Sequence, residues 1–422
     1  DLAVLVYTSG TTGKPKGAMN SHRGIVAGIR IGFDAVPQDE NDERMCFLPL
    51  CHIAEKLSGF YMAMYTGTLL NFVENPETVP ENVREISPTI LFAVPRVWEK
   101  FYSGITIAVK EGTVLQQRLY AWGIGVGQQV ADRFLAGQRI GGALKLRFLL
   151  ARWLVLDNVR KLIGIHRARY LYTSAAPISP ELIRWYYALG VPMFEAWGQT
   201  ESGGAATMTR PGHLKLGTIG KPLPGIEVRV APDTGELLIR SPSLFEGYLN
   251  MPEKTAETID KEGWLHTGDV GTVDEEGYFR ITDRMKDIII TAGGKNVTPS
   301  EIENELKFSP YITDAVVIGD RRPYLTAIIM IEQENVEKFA QDNDIPFSNY
   351  ASLTRCREVQ ELIQGEIDKV NRKFARVEQV KKFFLLDMQL TAEDEELTPT
   401  MKLKRKLVNE KYVKQIDAMY AS

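Results

Sequence analysis

Apolar residues run from Leu2 to Val6 and stop at "YTSGTTGKPKG" (7–17), so the chain opens as a short buried strand ended by turn chemistry. After that loop the spacing of "SHRGIVAGIRIGF" predicts a helix. From about 96 to 163 the pattern turns helical, with Leu, Trp, Arg and Gln stretches and little β-branched alternation. "RYLYTSAAPIS" (169–179) reads as strand then turn, with Ser179 as the N-cap and Pro180 in the first turn of the next helix. "VPMFEAWGQTE" (191–201) is a further strand and loop. Strands alternating with helices predict an α/β layered sheet.

Past about 215 the texture changes to short strands with frequent Gly and Pro, as in "GELLIRSPSLFEGYL", which suits a β-rich subdomain to about 283. "TPSE" (298–301) predicts a capping box, with Thr298 as N-cap, Pro299 at the first helical position and Glu301 closing it. Helix, strand, turn and strand follow in a compact α+β tail. The predicted organisation is a large domain over 1–283 and a small carboxy-terminal domain over 284–422, with no internal repeat and no low-complexity linker.

A chain of 422 residues exceeds what one ordinary core supports, which agrees with two domains. The formal charge of -4 over that length argues against a nucleic-acid binder held by a global positive field and points to small-molecule partners. Cys46, Cys51 and Cys356 are too few for a disulfide framework, so free thiols and a cytoplasmic setting are expected. The longest apolar candidate for a membrane span, "LRFLLARWLVL" (146–156), is short and broken by Arg147 and Arg152. Nine Lys or Arg lie between 133 and 169, a basic surface suited to anionic lipid. Lys145 and Arg152 share a helical face while Arg147 points elsewhere, so the segment reads as a solvated helix, and peripheral contact with the inner face of a membrane stays open.

The loop after the first strand crowds glycines and hydroxyls where backbone N–H groups converge on an anion, with Lys14 and Lys16 adding charge. Its spacing is not that of a P-loop: Gly10 is followed by two residues, then Gly13, Lys14 and Pro15. "GIGVGQQ" (123–129) misses the dinucleotide spacing and lies in helical texture, so no cofactor is assigned to it.

"YTSGTTGKPKG" closely resembles the phosphate-loop signature of the adenylate-forming superfamily, which comprises acyl- and aryl-CoA synthetases, peptide-synthetase adenylation domains and beetle luciferases. Further motifs follow in the family's order: "PLCHIAE", "TSAAPIS", "FEAWGQTES", "GELLIRSPSLFEGYLN", "WLHTGDVG", "GYFRITDRMKDIIITAGGKNVTPSEIE" and "LTPTMKLKRK". The helical stretch after "AVPRVWEKF" makes the chain most like long-chain fatty acyl-CoA synthetases. In that superfamily a substantial segment precedes the phosphate loop, so an amino-terminally incomplete large domain and a mobile carboxy-terminal lid are expected.

The resemblance implies that a carboxylate and ATP give an acyl-adenylate and pyrophosphate, after which the thiol of coenzyme A displaces AMP. Lys402 matches the lysine that contacts carboxylate and α-phosphate, and Thr200 a donor to that phosphate. Glu201 matches the Mg2+-binding glutamate, with Thr8 as a further oxygen ligand. Thr8, Ser9, Gly10, Thr11, Thr12, Gly13, Lys14 and Lys16 form the phosphate loop. Trp197 takes the place of an aromatic, commonly Tyr, that stacks on adenine, with Ser174, Ala175 and Ala176 as the opposite wall. Asp269 matches the carboxylate that accepts the ribose hydroxyls, and Arg284 a second ribose contact. Lys286 falls at the hinge between half-reactions, where many relatives have Asp. His52 matches a residue near the acyl carboxylate and Trp98 an aromatic gate to the acyl tunnel, with a structural His and a core Trp as the competing readings.

An aryl-CoA ligase, a ligase delivering to a carrier-protein thiol, and a non-catalytic nucleotide-binding fragment stay open as alternatives. Acyl chain length and oligomeric state are not legible in the sequence.

Overall fold

The computed structural model describes residues 1–8, 15–75, 78–285, 287–388, 390, 394, 396 and 404–421. The chain divides into two compact units, Asp1–Ile281 and Thr282–Ser422. The first begins with β1 (Leu2–Thr8), β2 (Lys16–Ser21), α1 (His22–Ala35) and β3 (Glu43–Cys46). A π-helical turn (Glu55–Tyr61) leads into α2 (Met62–Thr66), β4 (Leu69–Phe72), α3 (Val79–Ile86) and β5 (Ile90–Ala93). The helical stretch is α4 (Pro95–Glu111), α5 (Val114–Leu135), α6 (Gly142–Ala151), a π-helical turn (Arg152–Leu156) and α7 (Asp157–Ile163). There follow β6 (Tyr170–Thr173), α8 (Pro180–Ala188), β7 (Met193–Gln199), β8 (Gly204–Met208) and β9 (Lys221–Pro222). The β-rich part is β10 (Glu227–Val230), β11 (Glu236–Arg240), β12 (Gly247–Tyr248), α9 (Pro252–Thr258) and β13 (Leu265–Val273), and β14 (Phe279–Arg284) carries the boundary between units.

The central sheet has the order β4-β3-β5-β6-β7-β8-β9, in which β4, β3, β5, β6 and β7 pair in parallel and the last two antiparallel. Parallel strands bury both faces, which is why "ILFA" in β5 is buried throughout rather than alternating. They also bring their carboxyl ends to one edge, so the segments after β3, β6 and β7 emerge side by side. The mixed α/β architecture is the predicted one.

β2 was not expected. Its residues, "KGAMNS", carry no strand periodicity, and it forms because antiparallel partners on both sides, β1 and β12, satisfy its backbone groups. The following helix does start where the sequence places it, with the Ser21 hydroxyl accepting from Gly24 N–H at 3.2 Å.

α5 packs against α6 and α8, α7 packs against α3 and α4, and the π-helical turn Arg152–Leu156 packs against α5, α6 and α7. Gly123 and Gly127 serve that packing: a Cβ on Gly127 would meet the Ala188 carbonyl oxygen at 2.2 Å, and one on Gly123 would press on Val155. α6 is largely solvent-exposed, as expected, but much of what it exposes is apolar. It buries Ala151 and leaves Leu146, Leu149 and Leu150 in solvent, so it is apolar on two faces. Among the described residues no helix is long and apolar enough to cross a membrane, and the three cysteines are free thiols.

The second unit continues with β15 (Ile289–Ile290), β16 (Asn296–Val297), α10 (Pro299–Lys307), β17 (Ile312–Ile318) and β18 (Leu325–Ile331). It ends with α11 (Gln333–Asp342), α12 (Tyr350–Arg355), α13 (Arg357–Asn371), β19 (Val380–Leu385), α14 (Arg405–Lys411) and α15 (Val413–Tyr420). β17, β18 and β19 form one sheet with a core on each face: Ala315, Val317, Ala327 and Ile329 point to one, and Val316, Ile318, Ile328 and Met330 to the other. The predicted capping box is replaced. Thr298 is the N-cap of α10 but makes no side-chain cap bond, and the Asp283 carboxylate accepts the Ser300 N–H at 3.3 Å instead. A charged acceptor at a helix amino terminus outcompetes a neutral hydroxyl.

Candidate active site

The segment after β6 supplies Ser174, Ala175 and Ala176, and Ala175 has φ +72°, a left-handed conformation that an L-residue pays to adopt. The neighbouring parallel strand β7 carries Trp197 and runs into the turn with Thr200 and Glu201. That turn is rigid. The Ser202 hydroxyl accepts from Gln199 N–H at 2.8 Å and bonds the Gly204 carbonyl at 2.6 Å, while the Ser243 hydroxyl donates to the Ser202 carbonyl at 2.8 Å. Gly203, at φ +66°, lets the turn approach Ser243, whose carbonyl oxygen a Cβ would meet at 2.0 Å.

Trp197 is buried in the central core, and its indole Nε1–H donates to Asp269 Oδ2 at 2.9 Å. Gln199 Nε2 donates to the same oxygen at 3.1 Å and to the Thr267 carbonyl at 2.8 Å. The expected adenine platform and ribose carboxylate are therefore one connected unit. Both N–H donors reach the same carboxylate oxygen, Oδ2, and so fix the orientation of the Asp269 carboxylate.

Glu201 Oε1 accepts from the Tyr248 hydroxyl at 2.6 Å, and Lys16 Nζ stands 4.5 Å from the centroid of the Tyr248 ring. Lys16 is paired with Thr8 across the β1–β2 hairpin, and Tyr248 with Ala18. The fold thus joins Thr8, Lys16 and Glu201 through a tyrosine, Tyr248, that no sequence expectation named, although "FEGYLN" contains it. Among the described residues no three His, Cys, Asp or Glu side chains gather as a metal cluster. One carboxylate oriented by a hydroxyl is a donor set that suits Mg2+, which takes few protein oxygens and keeps waters and substrate phosphates.

His52 lies in the segment after β3. Its Nδ1 accepts from Ala54 N–H at 3.2 Å, so the neutral ring carries its proton on Nε2, and burial lowers its pKa towards that neutral form. Beneath it lies a group the sequence reading missed. Glu55 is 1% exposed, accepts from Leu48 N–H at 3.3 Å, and is pushed up to about 7 chiefly by burial. Burial likewise pushes the Cys46 thiol up to about 12 and lowers the pKa of Arg44, which donates to Gln38 Oε1 at 3.1 Å and to the Ser58 carbonyl. Glu195 in β7 is pushed up to about 8 by burial alone.

Trp98 is fully buried. Its Nε1–H is shared between the carbonyls of Ala93 at 3.1 Å and Tyr172 at 3.2 Å, and its ring meets Tyr186 edge-on at 5.3 Å. That is the environment of a core tryptophan, the competing reading for this residue, because a residue opening a tunnel needs freedom this one lacks.

In the second unit Arg284 ends β14, with its N–H on Asp283 Oδ1 at 2.7 Å. The "TAGGKN" loop is the β15–β16 turn, with Gly294 at φ +74°. Ser9, Gly10, Thr11, Thr12, Gly13, Lys14, Lys286 and Lys402 lie outside the described residues. The chain is described again at Lys404, whose N–H donates to the Glu396 carbonyl at 2.7 Å. Arg405 follows, clamped to the Val317 carbonyl at 2.6 Å and to Glu303 Oε1 at 2.7 Å.

Residues 1–249 match the AMP-binding enzyme family, and residues 286–422 match the AMP-binding enzyme C-terminal domain. The chain is 37% identical over 433 residues to fadD11 of Mycobacterium tuberculosis, which covers 100% of this chain and 74% of that protein. It is 34% identical over 446 residues to the long-chain-fatty-acid–CoA ligase ACSBG2 of Gallus gallus, covering 99% of this chain and 58% of that one. Among solved structures it resembles the adenylation domain of the carboxylate reductase of Mycobacterium chelonae, with a TM-score of 0.73 and 25% identity over 100% of this chain and 60% of that chain.

Proposed function

Because this chain belongs to the AMP-binding enzyme family, we propose that it is the larger part of an AMP-forming long-chain fatty acid:CoA ligase. The observation that carries the proposal is that β7 and the turn after it present Trp197, Thr200 and Glu201 in succession, with Trp197 bonded to Asp269 and Glu201 to Tyr248. In the first step a carboxylate oxygen attacks the α-phosphorus of ATP, an acyl–phosphate bond forms and pyrophosphate leaves. In the second the thiol of coenzyme A attacks the acyl carbon, AMP leaves and the thiol proton passes to solvent or a base.

In this reading Trp197 and the Ser174–Ala176 segment hold the adenine between them, and Asp269, fixed by two N–H donors, accepts the ribose hydroxyls. Arg284 adds a second ribose contact. Thr8, Lys16 and the loop 9–14 take the phosphates, and Thr200 donates to the α-phosphate. Glu201, with Thr8, would hold Mg2+, which when bound would neutralise phosphate charge. Lys402 brings a point charge to the two reacting anions, and Lys286 is the pivot that carries it in and out between steps. Neutral His52, with its proton on Nε2, can donate to the acyl carboxylate.

Fatty acids and coenzyme A are proposed because relatives at this identity carry those names. Likeness to a carboxylate-reductase adenylation domain favours one second reading, in which a carrier-bound thiol replaces free coenzyme A as the acceptor.

The test is pyrophosphate release by the full-length protein with a panel of carboxylates, with and without coenzyme A, beside Lys402→Ala. Release that needs a long-chain acid, gives a thioester only with coenzyme A and collapses in the variant is the expected result. Release that is indifferent to the carboxylate, or absent despite ATP binding, overturns the proposal.

A further inference from the structure

Leu146, Leu149, Leu150, Trp153 and Leu154 follow one another at the three-and-four spacing of a single helical face running through α6 into its π-helical turn. That face points to solvent: Trp153 is 74% exposed, Leu146 70% and Leu149 59%. The opposite face is the packed one, with Ala151 and Leu156 fully buried, Val155 against Gly123 and the Phe148 ring against Gly190. An apolar stripe of this length, left in water on a helix already anchored by its other side, is costly unless something covers it.

The charges beside the stripe say what covers it. From Arg133 to Leu156 the chain has five Lys or Arg and no Asp or Glu, although the whole chain is acidic at -4. On the helix, Lys145 and Arg152 border the stripe on one side and Arg147 on the other, as the 3.6-residue period places them. Arg152 is paired with Asp157 at 3.1 Å, whereas Lys145 and Arg147 are exposed and have no acidic partner among the described residues. A second copy of this chain would bring the same cations face to face, which disfavours a symmetric dimer here. The two arginines, and a length short of a bilayer, exclude a span.

We propose that this face of α6 seats on an anionic lipid surface, with the Leu and Trp side chains at the acyl boundary and Lys145 and Arg147 among the headgroups. The inference does not depend on the ligase reading, since it is read without turnover.

The experiment is flotation of the full-length protein with vesicles of phosphatidylcholine alone and of phosphatidylcholine mixed with phosphatidylglycerol, at low and high salt. Binding to the mixed vesicles, weaker by roughly tenfold or more on neutral vesicles or in high salt, is expected. Leu149→Glu with Trp153→Glu abolishes it, and Lys145→Glu with Arg147→Glu removes the preference for anionic lipid. All four positions are exposed, and circular dichroism checks that both variants fold. The proposal fails if the protein does not float, if it floats equally well with the Glu pair at 149 and 153, or if sedimentation velocity shows instead a dimer that this pair dissociates.

Discussion

The indole N–H of Trp197 and the carboxylate of Asp269 are 2.9 Å apart, although 72 residues separate them in sequence. A tyrosine ring has no N–H to place there. The tryptophan thus supplies both a flat apolar surface and an orienting donor, and it couples the proposed adenine platform to the proposed ribose acceptor.

Trp197→Phe keeps the flat ring and removes that donor. One hydrogen bond to a carboxylate is worth about 1.5–3 kcal/mol, less where Gln199 still holds the same oxygen, so AMP affinity falls roughly 5- to 30-fold. Isothermal titration with AMP measures this, and unchanged affinity removes Asp269 from the ribose.

Tyr248→Phe leaves Glu201 without the hydroxyl that orients it. The Mg2+ concentration for half-maximal activity rises severalfold while Glu201→Gln abolishes the response. A magnesium titration of pyrophosphate release separates the two, and an unaltered midpoint in both variants argues against metal at Glu201.

Trp98→Ala costs about 3–5 kcal/mol, because it opens a cavity against Tyr186 and strips a donor from the Ala93 and Tyr172 carbonyls. Thermal denaturation reads the loss. A variant of normal Tm with an altered acyl-chain profile would instead restore the gate reading.

Glu55 makes stability depend on pH. Its carboxyl is pushed up from 4.5 to about 7, so between those values the folded chain holds a proton that the unfolded chain releases, and stability falls as pH rises across the window. The full effect is about 3 kcal/mol at order of magnitude, with Glu195 acting in the same direction up to about 8. Glu55→Gln mimics the protonated form and flattens the decline. Melting curves on either side of the window check it, and an equal slope in the variant assigns the pH dependence elsewhere.

The residues proposed to carry the chemistry are those that the sequence motifs single out. Local pattern places a strand before the loop, a helix after it, a helical stretch to residue 163 and a β-rich part past about 215, since these depend on neighbours a few positions apart. The expected burial of that first strand holds only at Val6, and Leu2 lies in solvent. Ordered motifs single out Thr200, Glu201, Trp197 and Asp269 in the same way. Only the tertiary structure decided that Asp283 rather than Thr298 holds the start of α10, that "KGAMNS" is a strand, and that Tyr248 orients Glu201. Each of these turns on a partner distant in sequence, and whether a polar group is satisfied depends on what the fold brings within about 3 Å. Burial is decided there as well. Leu149 and Ala151 are equally apolar letters on one helix, and packing against the neighbouring helices sends the first to solvent and the second to the core.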